Sequence, residues 1–453
     1  MGRKTGITSR NWIEPLLALC VIASLAYPIW HLFTYAYLPQ PFFHSPDDLW
    51  ADWFNTAYYA YDRGTYDSWR TIYPPLSFIF LDLFTLDHCY IIHDGAGRAG
   101  LNARSCDWWG IASLHGFYLL AVGLAAYSFY KQDRRTALWR TIGLGLGLPL
   151  LDGLERGNLV IVALICLILA FGPIFKSARM RALAIGLAIN FKVYLIAALV
   201  PLVLRRKWRF VEYGVLATAI VYFVSFVLLG RGTVFEIYRN IQEFNEWQSA
   251  ANDLLGLWYS TTFVPHLGIL NSPVFYAPDH IGSRLADFLL IFIPGLIHTT
   301  QALIVAASAA VWLRPNVVPY YRVINLGLMF ALITSEAGGY TQAYFIFFVF
   351  LERFEGFGRR WAIIMCYLLS LSADIPVDQV PPVVRETYLW GKTVVATYYI
   401  MLGPFFRPLL ILTIPVALSL VTIRTVWIDI RENGWSFPWS YRSGGQAITV
   451  TTR

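Results

Sequence analysis

The sequence predicts an all-α polytopic membrane protein, with about ten to twelve transmembrane helices, broken helices and amphipathic helices in its outer loops. Three observations lead there. Of 453 residues, 57% are hydrophobic and only 14% charged, where a soluble domain carries about 25% charge. Apolar runs of roughly 20 residues recur between short charged segments, the length a bilayer core demands of a helix. Tryptophan, tyrosine and phenylalanine make up 17% of the chain. That exceeds what lipid-facing surface needs and suits interfacial belts and stacking pockets.

The net charge of +7 is not a nucleic-acid signature, because the basic residues fall in short inter-helix segments. Arg3, Lys4 and Arg10 precede the first apolar run. Later clusters are Lys131, Arg134, Arg135 and Arg140; Lys176, Arg179 and Arg181; Arg205, Arg206, Lys207 and Arg209; and Arg353, Arg359 and Arg360. By the positive-inside rule these are cytoplasmic, so the N-terminus is inside and the segment after the first span is outside. The first span, about 12–33, lacks a small-residue cleavage site and is expected to stay as an anchor.

The outer segment 34–106 opens on Ser45-Pro46-Asp47-Asp48, which reads as a helix start. Ser45 would be N-cap, Pro46 the first helical residue and Asp48 the partner in a capping box. This helix would run to about Asp62, end near Gly64 and lie along the membrane surface. Pro74-Pro75 opens a second short helix through Phe84. Spans follow at about 108–130, 137–153 and 158–175. The stretch 182–204 carries Asn190 and Lys192 mid-way and basic clusters on both flanks. Two half-helices turning at Asn190-Phe191-Lys192 keep both clusters inside, and broken helices of this kind line cavities.

Further spans are expected at about 210–230, 285–313, 319–334, 341–352, 361–374 and 405–427. A second outer segment, 231–284, holds Glu236, Glu243, Glu246, Asn252 and Asp253. A third, 374–404, contains the proline-rich PVDQVPPVV. No internal repeat is visible, so 1–427 reads as one membrane domain and 428–453 as a polar cytoplasmic tail. Cys20, Cys166 and Cys366 sit in apolar runs. Cys89 and Cys106 share the first outer loop, where an oxidising compartment allows a disulfide and a reducing one leaves two thiols.

The chemistry-bearing candidates are polar residues at the outer ends of spans. In the expected helix register Asp48, Asp52, Asn55 and Tyr59 share a face. Asp47 and Asp48 are accounted for by first-turn capping. Asp52 lies beyond that turn, where a partly desolvated carboxylate is placed to act as general base. Lys192 is an ionisable group at membrane depth, a costly placement that usually serves function. Arg156, in Glu155-Arg156-Gly157-Asn158, stands beside a helix start and suits a phosphate. Ser335-Glu336 through Tyr340-Thr341-Gln342 is a polar turn whose paired glycines allow close approach of a ligand. No P-loop, zinc-spaced Cys/His set or Ser/His/Asp arrangement is present.

Together these residues resemble a known pattern. Asp52-Trp-Phe-Asn55, Gly64-Thr-Tyr66-Asp67 and Ile72-Tyr73-Pro-Pro-Leu76 are similar to the outer-loop signature of polyprenyl-phosphate-dependent glycosyltransferases, and more narrowly to glycosyltransferase family 87. Leu154-Glu-Arg-Gly-Asn158, and Gly186 to Lys192 with Pro201 to Trp208, resemble further motifs of that family. The resemblance implies a membrane C-type glycosyltransferase fold with Asp52 as catalytic base, or Asp48 one turn earlier. It implies Lys192 and Arg156 at the donor phosphate, and Asn55, Tyr59, Tyr73, Asn158, Glu336, Tyr340 and Gln342 around the substrates. Mannosyltransferase members carry a histidine after Ser-Pro in the late outer turn. Here Gln342 or Tyr344 takes that place, and the sugar is read as mannose or a related hexose or pentose.

The expected partners are a polyprenyl-phosphate-linked sugar donor, a glycolipid or polysaccharide acceptor and the lipid bilayer, with no nucleic acid. The setting is the bacterial inner membrane with a periplasmic active site. No cofactor is expected. A divalent ion, as some C-type relatives use, would draw on Asp47, Asp48 or Glu336, but the reading is metal-independent. The competing class is a transporter or flippase of lipid-linked sugars, which should show inverted repeats.

Overall fold

The computed structural model describes residues 12–42, 45–62, 64–90, 99–249, 253–389 and 391–435. The basic N-terminal residues Arg3, Lys4 and Arg10, Asn252, and tail residues 436–453 lie outside that set. The first span consists of α1 (Ile13–Ser24) and α2 (Ala26–Tyr35) in near-continuous register. The outer segment contributes α3 (Ala51–Tyr61), α4 (Pro75–Leu83) and α5 (Ala99–Ala103), and Cys89 is disulfide-bonded to Cys106. Then come α6 (Trp108–Gln132), α7 (Ala137–Gly145), α8 (Leu148–Arg156), α9 (Val160–Phe171) and α10 (Ala178–Phe191). After a 3₁₀ stretch, Val193–Leu199, follow α11 (Val200–Leu204) and α12 (Trp208–Leu229). The second outer segment folds as α13 (Val234–Ser249), α14 (Val264–Leu270) and α15 (Ala277–Ile281).

The C-terminal part holds α16 (Ser283–Leu313), α17 (Tyr320–Leu332), α18 (Gln342–Val349) and α19 (Phe357–Leu369). Strands β1 (Pro376–Thr387) and β2 (Lys392–Met401) precede α20 (Gly403–Asn433). The chain is thus a mostly helical, polytopic membrane protein. Among the described residues five helical segments are long and apolar enough to cross a bilayer: the α1–α2 span, α6, α12, α16 and α20. Shorter helices form the interior. All eight residues of α18 are buried, as are all but one of α9. A helix apolar on every side belongs in such a position, enclosed by other helices.

Four expectations change. The helix placed at Ser45 begins at Ala51 instead. Residues 45–50 form turns, Trp50 has a left-handed φ of 59°, and the Arg104 guanidinium donates to the carbonyls of Asp47 and Leu49. Ser45, Pro46 and Asp48 therefore do not cap a helix, and Asp52 lies in the first turn of α3 rather than beyond it. The single span at 137–153 is two helices, because Pro149 restarts the chain as α8 after Gly147.

The third outer segment is an antiparallel hairpin, a small two-stranded addition to an otherwise helical fold. Pro381 and Pro382 have no N–H to donate and fall at its register shift between Val380 and Val383. The hairpin docks on the chain after α2: Thr397 N–H donates to the Tyr37 hydroxyl and Tyr399 N–H to Gln40 Oε1. The helix expected to end at Trp427 continues to Asn433, where Arg314 reaches Asp429 at 2.9 Å.

The break at Asn190-Phe191-Lys192 is present. Asn190 Nδ2 donates to the carbonyls of Gly186 and Thr218, fastening the end of α10 to α12, and Lys192 is extended.

Two buried ion pairs fasten the bundle, and the first links the N-terminal span to the C-terminal part. Arg140, which the sequence places in a cytoplasmic basic cluster, donates to both oxygens of Glu14 and to the Phe350 and Glu352 carbonyls. Arg322 forms a two-pronged pair with the Glu352 carboxylate at 2.5 and 2.6 Å. Removing one partner of such a pair leaves an uncompensated buried charge. Arg322→Ala is therefore expected to cost about 3 to 5 kcal/mol and to lower the thermal unfolding midpoint in detergent. An unchanged midpoint would show that the pair does not hold α17 to the end of α18.

Candidate active site

The site is assembled at the turn between α8 and α9. Gly157 ends α8 in the left-handed region at φ 67°, a conformation glycine adopts without strain. A side chain there would also meet Trp53 Cβ at 2.8 Å, because α3 lies directly against this turn. Trp50 N–H donates to the Glu155 carbonyl at 2.6 Å. Asn158 Oδ1 accepts from Val160 N–H and satisfies a free donor at the start of α9.

Asp52 faces this turn. Arg156 donates to one carboxylate oxygen at 2.9 Å, and Asn158 Nδ2 donates to the other at 2.7 Å. Each oxygen keeps a further acceptor position, and the Asp52 side chain is 21% exposed, so a hydroxyl can approach. Asp48 lies 3.6 Å from the same guanidinium. Tyr73 joins from the loop before α4: its hydroxyl is 3.4 Å from Asn158 Nδ2 and 3.4 Å from Lys192 Nζ. The Lys192 ammonium stands over the Tyr73 ring at 4.5 Å and near the Tyr340 ring at 5.7 Å. Asp52, Arg156, Asn158, Tyr73, Lys192 and Tyr340, distant in sequence, thus meet in one place. Burial raises the Tyr73 phenol well above its ordinary range, with Asp52 adding to the effect, so it stays neutral while it accepts from Asn158 and Lys192.

The other expected residues stand differently. Tyr59 stacks on Trp69 at 4.8 Å, and burial, then Asp52, raises its phenol. Asn55 lies on α3 against the Gly100 backbone and forms no hydrogen bond with the cluster. Glu336 is occupied elsewhere: its carboxylate accepts from the N–H and hydroxyl groups of both Thr261 and Thr262, and from Gly338 N–H. It holds the 335–341 turn to the second outer segment. Gln342 is fully buried, with neither amide atom hydrogen-bonded.

The acids expected as metal ligands are dispersed. Asp47 pairs with Arg104, Asp48 with Arg156, and Glu336 binds the threonines. Among the described residues the one close group of ligand type is His88 with Cys89 and Cys106, whose sulfurs are in the disulfide.

Sequence reasoning missed Asp152. One turn before Arg156 on α8, it is fully buried and interacts with Arg156, Asp52, Arg407 and the Tyr340 backbone. Its spacing of four from Arg156 on a helix was the available signal.

A helical frame of this kind, with a carboxylate from α3, an arginine from the end of α8 and a lysine from the break after α10 brought together, defines a polytopic membrane protein with a polar site. Residues 72–335 match the model of glycosyltransferase family 87, more than half of the chain. The chain belongs to that family and is a membrane glycosyltransferase. The matched region contains Tyr73, Arg156, Asn158 and Lys192; Asp52 precedes it and Glu336 follows it. Comparison with curated proteins and with solved structures returned no match.

Asn158→Asp would set a second carboxylate against Asp52 in place of the N–H donor. It is expected to abolish glycosyl transfer, whereas Asn158→Ser retains part of it. Equal transfer rates in the two folded variants would show that Asn158 does not orient Asp52.

Proposed function

We propose that this glycosyltransferase moves one sugar from a polyprenyl-phosphate donor to a glycolipid or polysaccharide acceptor at the outer, periplasmic face of a bacterial inner membrane. The observation that carries the reading is Lys192. It is a buried ammonium with no carboxylate in salt-bridge contact among the described residues, and it is held on the Tyr73 ring beside the Asp52–Arg156 pair. A cation left without an ion pair in a dry site is a place for an anionic group, and a lipid phosphate is the anion a membrane-embedded site meets.

In this reading Asp52 is the general base, with Asp48 as its alternate. It takes the proton of the acceptor hydroxyl as the oxygen attacks the anomeric carbon. The bond from that carbon to the phosphate oxygen breaks, and its electron pair leaves with the lipid phosphate. Attack opposite the leaving group inverts the anomeric centre. Arg156 and Lys192 neutralise the charge that develops on the phosphate. Arriving phosphate competes with Asp52 for Arg156, which couples donor binding to release of the base. Tyr73, Tyr340 and Asn158 line the reacting groups, and Asn55 and Tyr59 supply outer contacts to the sugars. The sugar is mannose or a related hexose or pentose. No metal takes part in any of these steps.

The experiment is in vitro transfer from a panel of polyprenyl-phosphate sugars. Asp52→Asn should fold and lose roughly 10²- to 10⁴-fold in rate, the usual contribution of a general base. Full activity in Asp52→Asn with loss in Asp48→Asn would move the base to Asp48. Lys192→Met should lower turnover by about 10²-fold or more, as loss of one charge-stabilising donor does. Unaltered turnover there would remove Lys192 from the phosphate site. No transfer from any donor, with lipid-linked sugar crossing liposomes, would replace the enzyme by a flippase.

A further inference from the structure

A cleft of about 690 Å³ lies between α16, α19 and α20, lined by none of the residues gathered around Asp52. Most of its wall is apolar, including Leu296, Leu412, Val416, Ala417, Leu420 and Val421. One end is charged, with Arg359, Arg424 and Glu355. Arg359 reaches Glu355 at 3.7 Å, and that glutamate is 62% exposed; a contact this long and this wet holds its partners weakly. Arg424 is exposed and forms no ion pair among the described residues. Two guanidinium groups against one carboxylate leave a net positive charge of one at the mouth. The cleft therefore combines a lining for hydrocarbon chains with a charge that matches a single phosphodiester.

The direction of α20 says which leaflet supplies the occupant. Arg407, near its start, bonds Asp374, stands over the Tyr259 ring and interacts with Asp152 of the Asp52 cluster. From Arg407 to Arg424 the helix advances about 25 Å at about 1.5 Å per residue, most of a hydrocarbon core of about 30 Å. The charged mouth thus lies on the membrane side opposite the catalytic cluster. A donor lipid whose phosphate sits at Lys192 and Arg156 cannot also place it there.

We propose that this cleft binds one anionic phospholipid of the opposite leaflet. Its phosphate lies against Arg359 and Arg424, and an acyl chain runs along α20 between α16 and α19. Anionic lipids give one leaflet the surface charge that attracts such arginines, and the cleft offers a fitted seat rather than a general lipid-facing surface.

The test is native mass spectrometry of the full chain released from nanodiscs of phosphatidylglycerol, of phosphatidylcholine, or of phosphatidylcholine with polyprenyl phosphate. Wild type should retain one phosphatidylglycerol at least ten-fold more than phosphatidylcholine. Arg359→Gln/Arg424→Gln should remove that preference, and Ala417→Trp should remove retention by filling the apolar wall. A monodisperse elution profile checks that each variant is folded; if the tryptophan variant fails it, the arginine variant decides. Equal retention of both phospholipids, a preference that survives the arginine changes, or retention of polyprenyl phosphate that Arg359→Gln/Arg424→Gln abolishes would overturn the proposal. None of these outcomes depends on the sugar-transfer reading.

Discussion

The contact on which the site depends is the one between the first outer segment and the α8–α9 turn. Asp52 is held at both oxygens by Arg156 and Asn158, while the Trp50 N–H closes on the Glu155 carbonyl two residues earlier. Neither side has this shape alone. The turn needs Gly157 in the left-handed region so that α3 can lie on it, and α3 needs the turn to receive an acid in its first helical turn. An ion pair shielded by surrounding helices acts through a lower effective dielectric than one in water, so its orientation is well specified.

The surroundings reinforce that contact. Arg104 anchors the carbonyls of Asp47 and Leu49, and its guanidinium also lies 4.5 Å over the Tyr388 ring of the β-hairpin tip. Trp50 meets the same tyrosine edge-on. The hairpin therefore braces the segment that carries Asp52, and its strands in turn rest on the chain after α2. At the other end of the bundle, Glu352 is shared: its carboxylate pairs with Arg322 and its carbonyl accepts from Arg140, which also holds Glu14. These fastenings secure the chain leaving the buried helix α18, adding to the burial of its apolar surface.

Much of the candidate site was legible from residue type alone. Ionisable or amide side chains within or beside apolar runs are expensive enough to be noticed, and Asp52, Arg156, Asn158 and Lys192 all stand out that way. Tyr73 and Tyr340 were legible through their proline and glycine neighbours. Glu336 shows the limit of that reasoning: its carboxylate is filled by Thr261 and Thr262, about 75 residues away in the chain, and no local pattern announces such a partner. Asp152 shows the reverse, a buried acid hidden inside what read as one uninterrupted span.

The sequence by itself determined that the chain is helical and crosses a membrane, because the length and composition of apolar runs follow from bilayer thickness and backbone hydrogen bonding. It determined the break at Asn190–Lys192, since basic clusters on both flanks disfavour a single crossing there. It did not determine where α3 begins. Ser45, Pro46 and Asp48 carry every local signal of a helix start, yet Arg104 takes the carbonyls a helix would use and Trp50 turns left-handed. Only tertiary contacts decide such a competition, because local capping is worth about 1 kcal/mol and a buried guanidinium with several acceptors outweighs it. That same decision moved Asp52 into a first helical turn and gave it Arg156 as partner.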